Sequence, residues 1–389
     1  MEKSAYRTWA EIDLDVIAAN MREIKNIVGD KTKVMAVVKA DAYGHGYLNV
    51  SKVMLENGAD YLGVAFIDEA EQLRCHGIKS PILILGYTSH NDLKRVVEND
   101  IIPSVYHYKD AEYLSEIAAE YNKKAKIHIK IDTGMNRLGF MSGDPESIKN
   151  IEKISKLKNI EIEGIFSHLS CADEEDDTYS YMQFERFGNI CGKLENLGIK
   201  IPIKHICNSA GILKYKSMHL DMVRAGIISY GLYPSKYVNR NILNLIPAMS
   251  IKTVTTRIQY IGKGEKISYG GTFTAPYDMK IATIPIGYAD GYIRALQGKA
   301  KVIVSDRYAE IVGRICMDQC MIDVTNVNTI SVEDEVIIIG KKGGKSISFD
   351  KLAEDIGTIN YELLCLIGKR VPRVYLRDGN VTDVLSYLV

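Results

Sequence analysis

Lys39 closes an apolar run in "VMAVVKADAYGHG" (34–46), just ahead of a turn rich in glycine and aromatics. Lysine is costly to bury as a cation and nucleophilic once it loses its proton. An amine at the end of a buried strand is therefore suited to forming an imine with a carbonyl. Lys130, His168, Asn208 and Ser209 hold similar positions, each at or just past the last apolar residue of a run. One polar residue at a strand end usually marks only the start of a loop, but five chemically capable ones together point to a site. Imine chemistry there leaves two classes open, sugar-phosphate aldolases and enzymes that use pyridoxal 5'-phosphate (PLP). Both need a phosphate site. "CNSAG" (207–211) opens a helix straight after a strand, with Ser209 placed to cap it, and the free N–H groups of a helix start attract phosphate. "RAGI" (224–227) ends the next strand, where Gly226 lets backbone approach a ligand closely.

The elements that carry these residues alternate in type. Leu14, Ile17, Met21, Ile24 and Ile27 recur at helical spacing. Eight strand-like runs follow, at 34–38, 61–66, 82–86, 101–106, 126–131, 162–168, 201–207 and 222–227, separated by helical segments such as "DAEYLSEIAAEYNKK". Eight strands alternating with helices over about 240 residues predict an α/β fold, an eight-stranded parallel (β/α)8 barrel of the TIM type. An open doubly wound sheet is the alternative, disfavoured because no glycine-rich dinucleotide turn follows the first strand. In a barrel the C-terminal strand ends share one face, and the loops after strands seven and eight are a frequent phosphate site. From about residue 244 the pattern becomes alternating and β-branched, with one helical stretch at 350–357, so a barrel over 1–243 and a mostly β domain over 244–389 are expected.

Composition narrows the partners. Lys plus Arg and Asp plus Glu both number 49, so there is no basic excess to favour nucleic acid. The seven cysteines are scattered, with no zinc-like spacing, which fits reduced thiols and no metal. The N-terminal stretch lacks an apolar signal core and no run is long enough to span a bilayer, so neither membrane association nor export is expected and the default location is cytoplasmic.

"AVVKADAYGHG" closely resembles the PLP-lysine signature of the alanine racemases. "KIDTGMNRLGF", "CNSAG", "DMVRAGIISYGLYP", "SYGGTF", "IGYADGY", "VGRICMDQ" and "GTINYELLCLIGKRVPR" match that family in order along the whole chain. The resemblance implies a homodimer with shared active sites that interconverts L- and D-alanine and supplies D-alanine for peptidoglycan. Lys39 would hold PLP and act as base on one face of the substrate, and Tyr269 from the partner subunit would be the base on the other. Arg224 would meet the pyridine nitrogen and His168 would bond to Arg224. Tyr43, Ser209, Gly226, Ile227 and Tyr361 would surround the phosphate, with Asn208 among the cofactor contacts. Arg137 would reach the phenolic oxygen and the substrate carboxylate, which backbone at the partner's Met317 would also bind. Tyr288 and Tyr361, with Tyr269, would narrow the pocket to a methyl side chain. Lys130 stands where the family often carries a carbamylated lysine, the alternative being an ordinary lysine paired with Asp132. The rivals are a PLP-dependent amino-acid decarboxylase and a non-enzymatic single-barrel PLP carrier, against which "SYGGTF" and the complete second domain argue.

Overall fold

The computed structural model describes residues 6–388 and divides into two compact units. The first comprises Ile17–Ala42 and Tyr47–Ile246. The expected strands form at Lys33–Val37, Tyr61–Val64, Ile82–Ile84, Ile102–Val105, Ala125–Asp132, Ile160–Phe166, Ile203–His205 and Met222–Ala225. All neighbouring pairs are parallel, and the eighth strand pairs with the first. The seventh and eighth are joined by backbone bonds from Asp221 to Lys204 (3.1 Å) and from Arg224 to Cys207 (3.0 Å), so the sheet is a nearly closed barrel. Met35, Tyr61, Leu83, Ile102, Phe166, Ile203 and Met222 fill its interior. Side chains alternate across a strand, so the strands that bury Met222 and Ile203 also turn Arg224 and His205 inward. The barrel interior is thus apolar in one layer and basic in the next.

The second unit is mostly β. Its main sheet contains Met249–Val254, Lys301–Val304, Arg307–Val312 and Glu335–Lys342, and helices form at Phe349–Ile356 and Asn360–Leu366. A strand at Thr8–Asp13, absent from the sequence reading, lies in this sheet, antiparallel to Met249–Val254 and parallel to Arg373–Arg377. "TWAEID" is too short and too close to the following helix for its period to be read alone. No disulfide links the seven cysteines among the described residues. Among the described residues no helix is long and apolar enough to cross a membrane.

Tyr43–Gly46 also belongs to the second unit. Buried Arg373 donates to the Gly44 carbonyl (2.9 Å), and Tyr375 donates to the His45 carbonyl (3.1 Å). Gly46 has φ of 85°, and a Cβ there would lie 1.8 Å from the Tyr375 hydroxyl oxygen. Gly46→Ala should therefore lose roughly 2–4 kcal/mol of stability through backbone strain and displacement of Tyr375. Urea unfolding checks this, and a variant as stable as the parent would refute it.

Candidate active site

The backbone after Lys39 is unusual. Ala40, Asp41, Ala42 and Tyr43 all have φ between 51° and 56°, a left-handed turn built without glycine. Consecutive L-residues in that region cost about 1–2 kcal/mol each, so the surroundings must hold the turn in place. The Ala40 N–H donates to Glu69 (2.7 Å), the Ala42 N–H to the Val38 carbonyl (2.9 Å), and the Tyr47 N–H to Asp41 (3.0 Å). The other Glu69 oxygen accepts from the Ala65 N–H at 2.7 Å. Lys39 is thus partly buried at the C-terminal end of the first barrel strand, leading a pinned turn.

Arg224 is buried on the eighth strand, and no carboxylate is among its hydrogen-bond partners. Its guanidinium donates to the Ser167 carbonyl (2.7 Å), the Ile206 carbonyl (2.9 Å), His205 Nδ1 (2.8 Å) and His168 Nδ1 (3.1 Å). Arginine cannot accept, so His168 takes that bond on an unprotonated Nδ1. Burial, followed by the charges of Arg224, Lys130, Arg137 and Lys39, holds His168 well below the usual imidazole range and neutral. Four basic side chains therefore act on His168 at one barrel mouth, which suits an anionic ligand.

Lys130 is 5 % exposed, and its ammonium donates to the Ile131 carbonyl at 3.0 Å. The pairing with Asp132 held open above does not form. Asp132 instead accepts from the backbone N–H groups of Gly134, Asn136 and Arg137, which shapes the loop carrying the exposed Arg137. Burial, then Arg224, lowers the Lys130 pKa to about 7.

Ser209 does not cap its helix. Asn208 does, accepting from the Gly211 N–H at 3.0 Å, because its longer side chain reaches back over the first turn. The buried Ser209 hydroxyl accepts from the Gly226 N–H at 2.9 Å, tying the loops after strands seven and eight together. Ile227 is fully buried beside them.

The second unit carries the remaining candidates. Tyr43 and Tyr361 have ring centroids 6.1 Å apart. Tyr269 is 71 % exposed and Met317 53 % exposed, and both line one open hollow with Ser268 and Cys316. Ser268, just before Tyr269, has φ of 66° and ψ of −179°, a region otherwise left to glycine. Its hydroxyl donates to the Arg314 carbonyl at 2.7 Å. The N–H groups of Tyr288 and Ala289 donate to the carbonyls of Cys316 (3.1 Å) and Met317 (3.0 Å), which brings Tyr288 to the same loop.

With this arrangement described, likeness to known proteins is informative. Residues 12–234 match the family model "Alanine racemase, N-terminal domain", and residues 248–375 match "Alanine racemase, C-terminal domain". The chain belongs to the alanine racemase family. It is 49 % identical to an alanine racemase of Clostridium tetani, over the full length of both. It is 50 % identical to one of Methanococcus maripaludis, over 95 % of this chain and 98 % of that one. A solved alanine racemase of Clostridium difficile superposes with a TM-score of 0.96 at 42 % identity, covering 99 % of this chain and 100 % of that one. One from Bacillus anthracis, with bound L-Ala-P, gives 0.93 at 38 % identity, covering 98 % of each. Membership in this family makes the chain an amino-acid racemase, an isomerase, and removes the decarboxylase and carrier rivals.

Residues around the alanine racemase motifs escaped the sequence reading. Glu69 looks like one acid among several in "DEAEQLR", and only the fold shows that it pins the Lys39 turn. Ser167 contributes a carbonyl, which no residue type announces. His205 lies inside an apolar run and reads as core.

The Lys130 amine generates a pH prediction. The folded chain releases this proton near pH 7, whereas an ordinary lysine in the unfolded chain keeps it until about pH 10.5. The unfolded state therefore holds more protons between those values, and stability rises with pH across that window. Lys130→Met removes the gradient, so in carbon dioxide-free solution the variant should gain more relative to the parent at about pH 7 than at about pH 9.5. Denaturant unfolding at both pH values checks this, and equal differences would refute the low amine pKa.

Proposed function

We propose that this chain racemises alanine with PLP, as a homodimer whose two sites each use residues from both copies. In this reading 1–243 is the cofactor-binding barrel, and 244–389 supplies Tyr269 and Met317 to the partner's site. The observation that carries it is the convergence of Lys39, Arg137 and Arg224 around His168, at the mouth where Ser209 is tied to Gly226. A phosphate and a carboxylate are the anions such a mouth would take, and PLP with an amino acid brings both.

The residues fit the group. Lys39 would hold it through its amine. Ser209, Gly226, Ile227, Tyr43 and Tyr361 would surround the phosphate, with Asn208 beside them. Arg137 would reach the phenolic oxygen and the substrate carboxylate. Bound PLP would supply an electron sink that makes the amino acid's α-proton acidic. Lys39 exchanges that proton on one face, and the partner's Tyr269 does so on the other, since inversion needs a base on each side. The exposure of Tyr269 supports its use by a second copy. Arg224, protonated at neutral pH, would donate to the ring nitrogen of bound PLP, which would leave that nitrogen without a proton of its own and limit side reactions. The partner's Met317 binds the substrate carboxylate through its backbone, and Tyr288 with Tyr361 limits the side chain to about a methyl group.

Lys130 is proposed to be carbamylated. The uncharged amine is the form that adds carbon dioxide, and a pKa near 7 supplies it at neutral pH. The product is an anion suited to orienting Arg137. Intact mass measured in bicarbonate should show one carboxyl group replacing a hydrogen, absent from Lys130→Met. The product D-alanine fits supply of peptidoglycan synthesis in the cytoplasm.

Incubation with L-alanine and chiral analysis, with and without added PLP, tests the activity. D-alanine should accumulate without release of carbon dioxide. Lys39→Ala and Tyr269→Phe should each lose nearly all racemisation. Mixing the two inactive variants should restore about a quarter of the sites, because half of randomly assorted dimers hold one intact Lys39–Tyr269 pair. No recovery after proven subunit exchange would rule out shared sites.

A further inference from the structure

Behind Arg224, the barrel interior holds a line of polar side chains that the chemistry above leaves unused. Arginine only donates, so His205 Nδ1, 2.8 Å from Arg224, accepts. The proton of a neutral His205 ring then sits on Nε2, which faces His128 Nδ1 at 2.9 Å and donates to it. The same reasoning puts the His128 proton on Nε2, 3.3 Å from Glu163 Oε2. Lys126 donates to the other Glu163 oxygen at 2.6 Å. Both imidazoles are fully buried, and burial lowers the pKa of each, which keeps them neutral. Burial alone would raise the Glu163 pKa, but hydrogen bonds from His128 and Lys126 bring it down to about 2.

Three features show that this line is built into the fold. The fifth and sixth strands slip register between Ile127 and His128, which pair with Ile162 and Gly164, so Glu163 is the unpaired extra residue. Such a bulge re-aims a side chain that strict alternation would send elsewhere. Gly164 has no left-handed φ to explain it, yet a Cβ there would sit 2.4–2.7 Å from the His128 ring. Phe166 stacks flat on His205, with centroids 4.8 Å apart and planes 6° apart.

We infer that Glu163, acting through His128 and His205, is a positioning residue for Arg224: it fixes the direction of the hydrogen-bond chain, so that Arg224 always has an acceptor behind it and aims its free donor capacity at the cofactor ring. With the chain reversed, His205 would point an N–H at the guanidinium, and two donors would face each other. The inference rests on the role proposed for Arg224, but its central readout needs no turnover.

Full-length protein, as isolated, would be labelled with 15N-histidine and compared with Glu163→Gln and Glu163→Leu. In the parent, His128 and His205 should both be Nε2–H tautomers. The glutamine variant should keep both, because its amide oxygen still accepts from His128. The leucine variant should change the tautomer of at least one ring, leaving His219 unchanged, whose Nε2 faces the Ile212 carbonyl at 3.0 Å. Racemisation kcat should fall roughly tenfold in the leucine variant with KM little altered, the scale on which outer hydrogen-bond partners of metal ligands act. An Nδ1–H tautomer on either ring of the parent would overturn the inference. So would a leucine variant that loses activity with both tautomers intact. Should the leucine variant not fold, the parent and glutamine spectra decide. An absence of racemase activity in the parent, with both rings Nε2–H, would sink the proposed function and leave the hydrogen-bond chain standing.

Discussion

A guanidinium closed inside a barrel must be satisfied by what the strands bring to it, and much else in this molecule follows from how Arg224 is satisfied. Burial pulls its pKa down to about 10, yet it stays protonated at neutral pH. A carboxylate beside it would give a compact ion pair and occupy the donors. Its partners are instead the Ser167 and Ile206 carbonyls, at the ends of the sixth and seventh strands, and two imidazoles. Those imidazoles have to be neutral in order to accept, and His168 and His205 are both held well below their ordinary range. Burial, and after it the charge of Arg224, drives Lys130 toward its neutral form as well. Burial first, and the charge of Arg224 after it, therefore lowers the pKa of three neighbours.

Strain flanks both residues proposed as bases. Lys39 leads a left-handed turn made of non-glycine residues, and Tyr269 follows Ser268 in a conformation that normally requires glycine. In each case specific hydrogen bonds hold the backbone where it would not rest alone, from Glu69, Val38 and Asp41 in the first and from Ser268 to Arg314 in the second. A base must meet a proton at a fixed angle, and a backbone with one allowed conformation gives that more firmly than a relaxed loop. Asp41 tolerates the left-handed region, while Ala40, Ala42 and Tyr43 carry the full Cβ penalty that these bonds must offset.

The eight barrel strands were legible because each is a short apolar run bounded by turn residues, and a barrel makes the polar residue at each run's end meaningful. Lys39 and Lys130 could be picked out that way. Three things were not legible, each for a physical reason. The strand Thr8–Asp13 pairs with segments more than 200 residues away, and sequence period carries no information about pairing partners. The Glu163 bulge breaks the alternation on which strand reading depends, so its side chain goes where the pattern denies it. The helix cap after the seventh strand fell to Asn208 and not Ser209, because capping depends on reach and backbone angle, which neighbouring polar residues do not distinguish. The roles proposed for Tyr269 and Met317 rest on motif likeness, since no local pattern separates them from ordinary exposed residues.

Charge balance unites these observations. Over the whole chain positive and negative side chains are equal in number, yet Lys39, Lys130, Arg137 and Arg224 gather around one histidine. Asp132, the acid nearest in sequence to Lys130, is turned away to serve backbone N–H groups and so does not pair with it. Folding thus gathers basic groups whose mutual repulsion Asp132 offsets only in part. An anionic ligand that bound only the folded state would relieve the rest, and linkage would convert that relief into both affinity and stability. The same segregation governs the interior behind Arg224, where Glu163 reaches the guanidinium only through two neutral rings. The direct partners of the guanidinium thus carry no negative charge, and its remaining donor capacity is left for another acceptor.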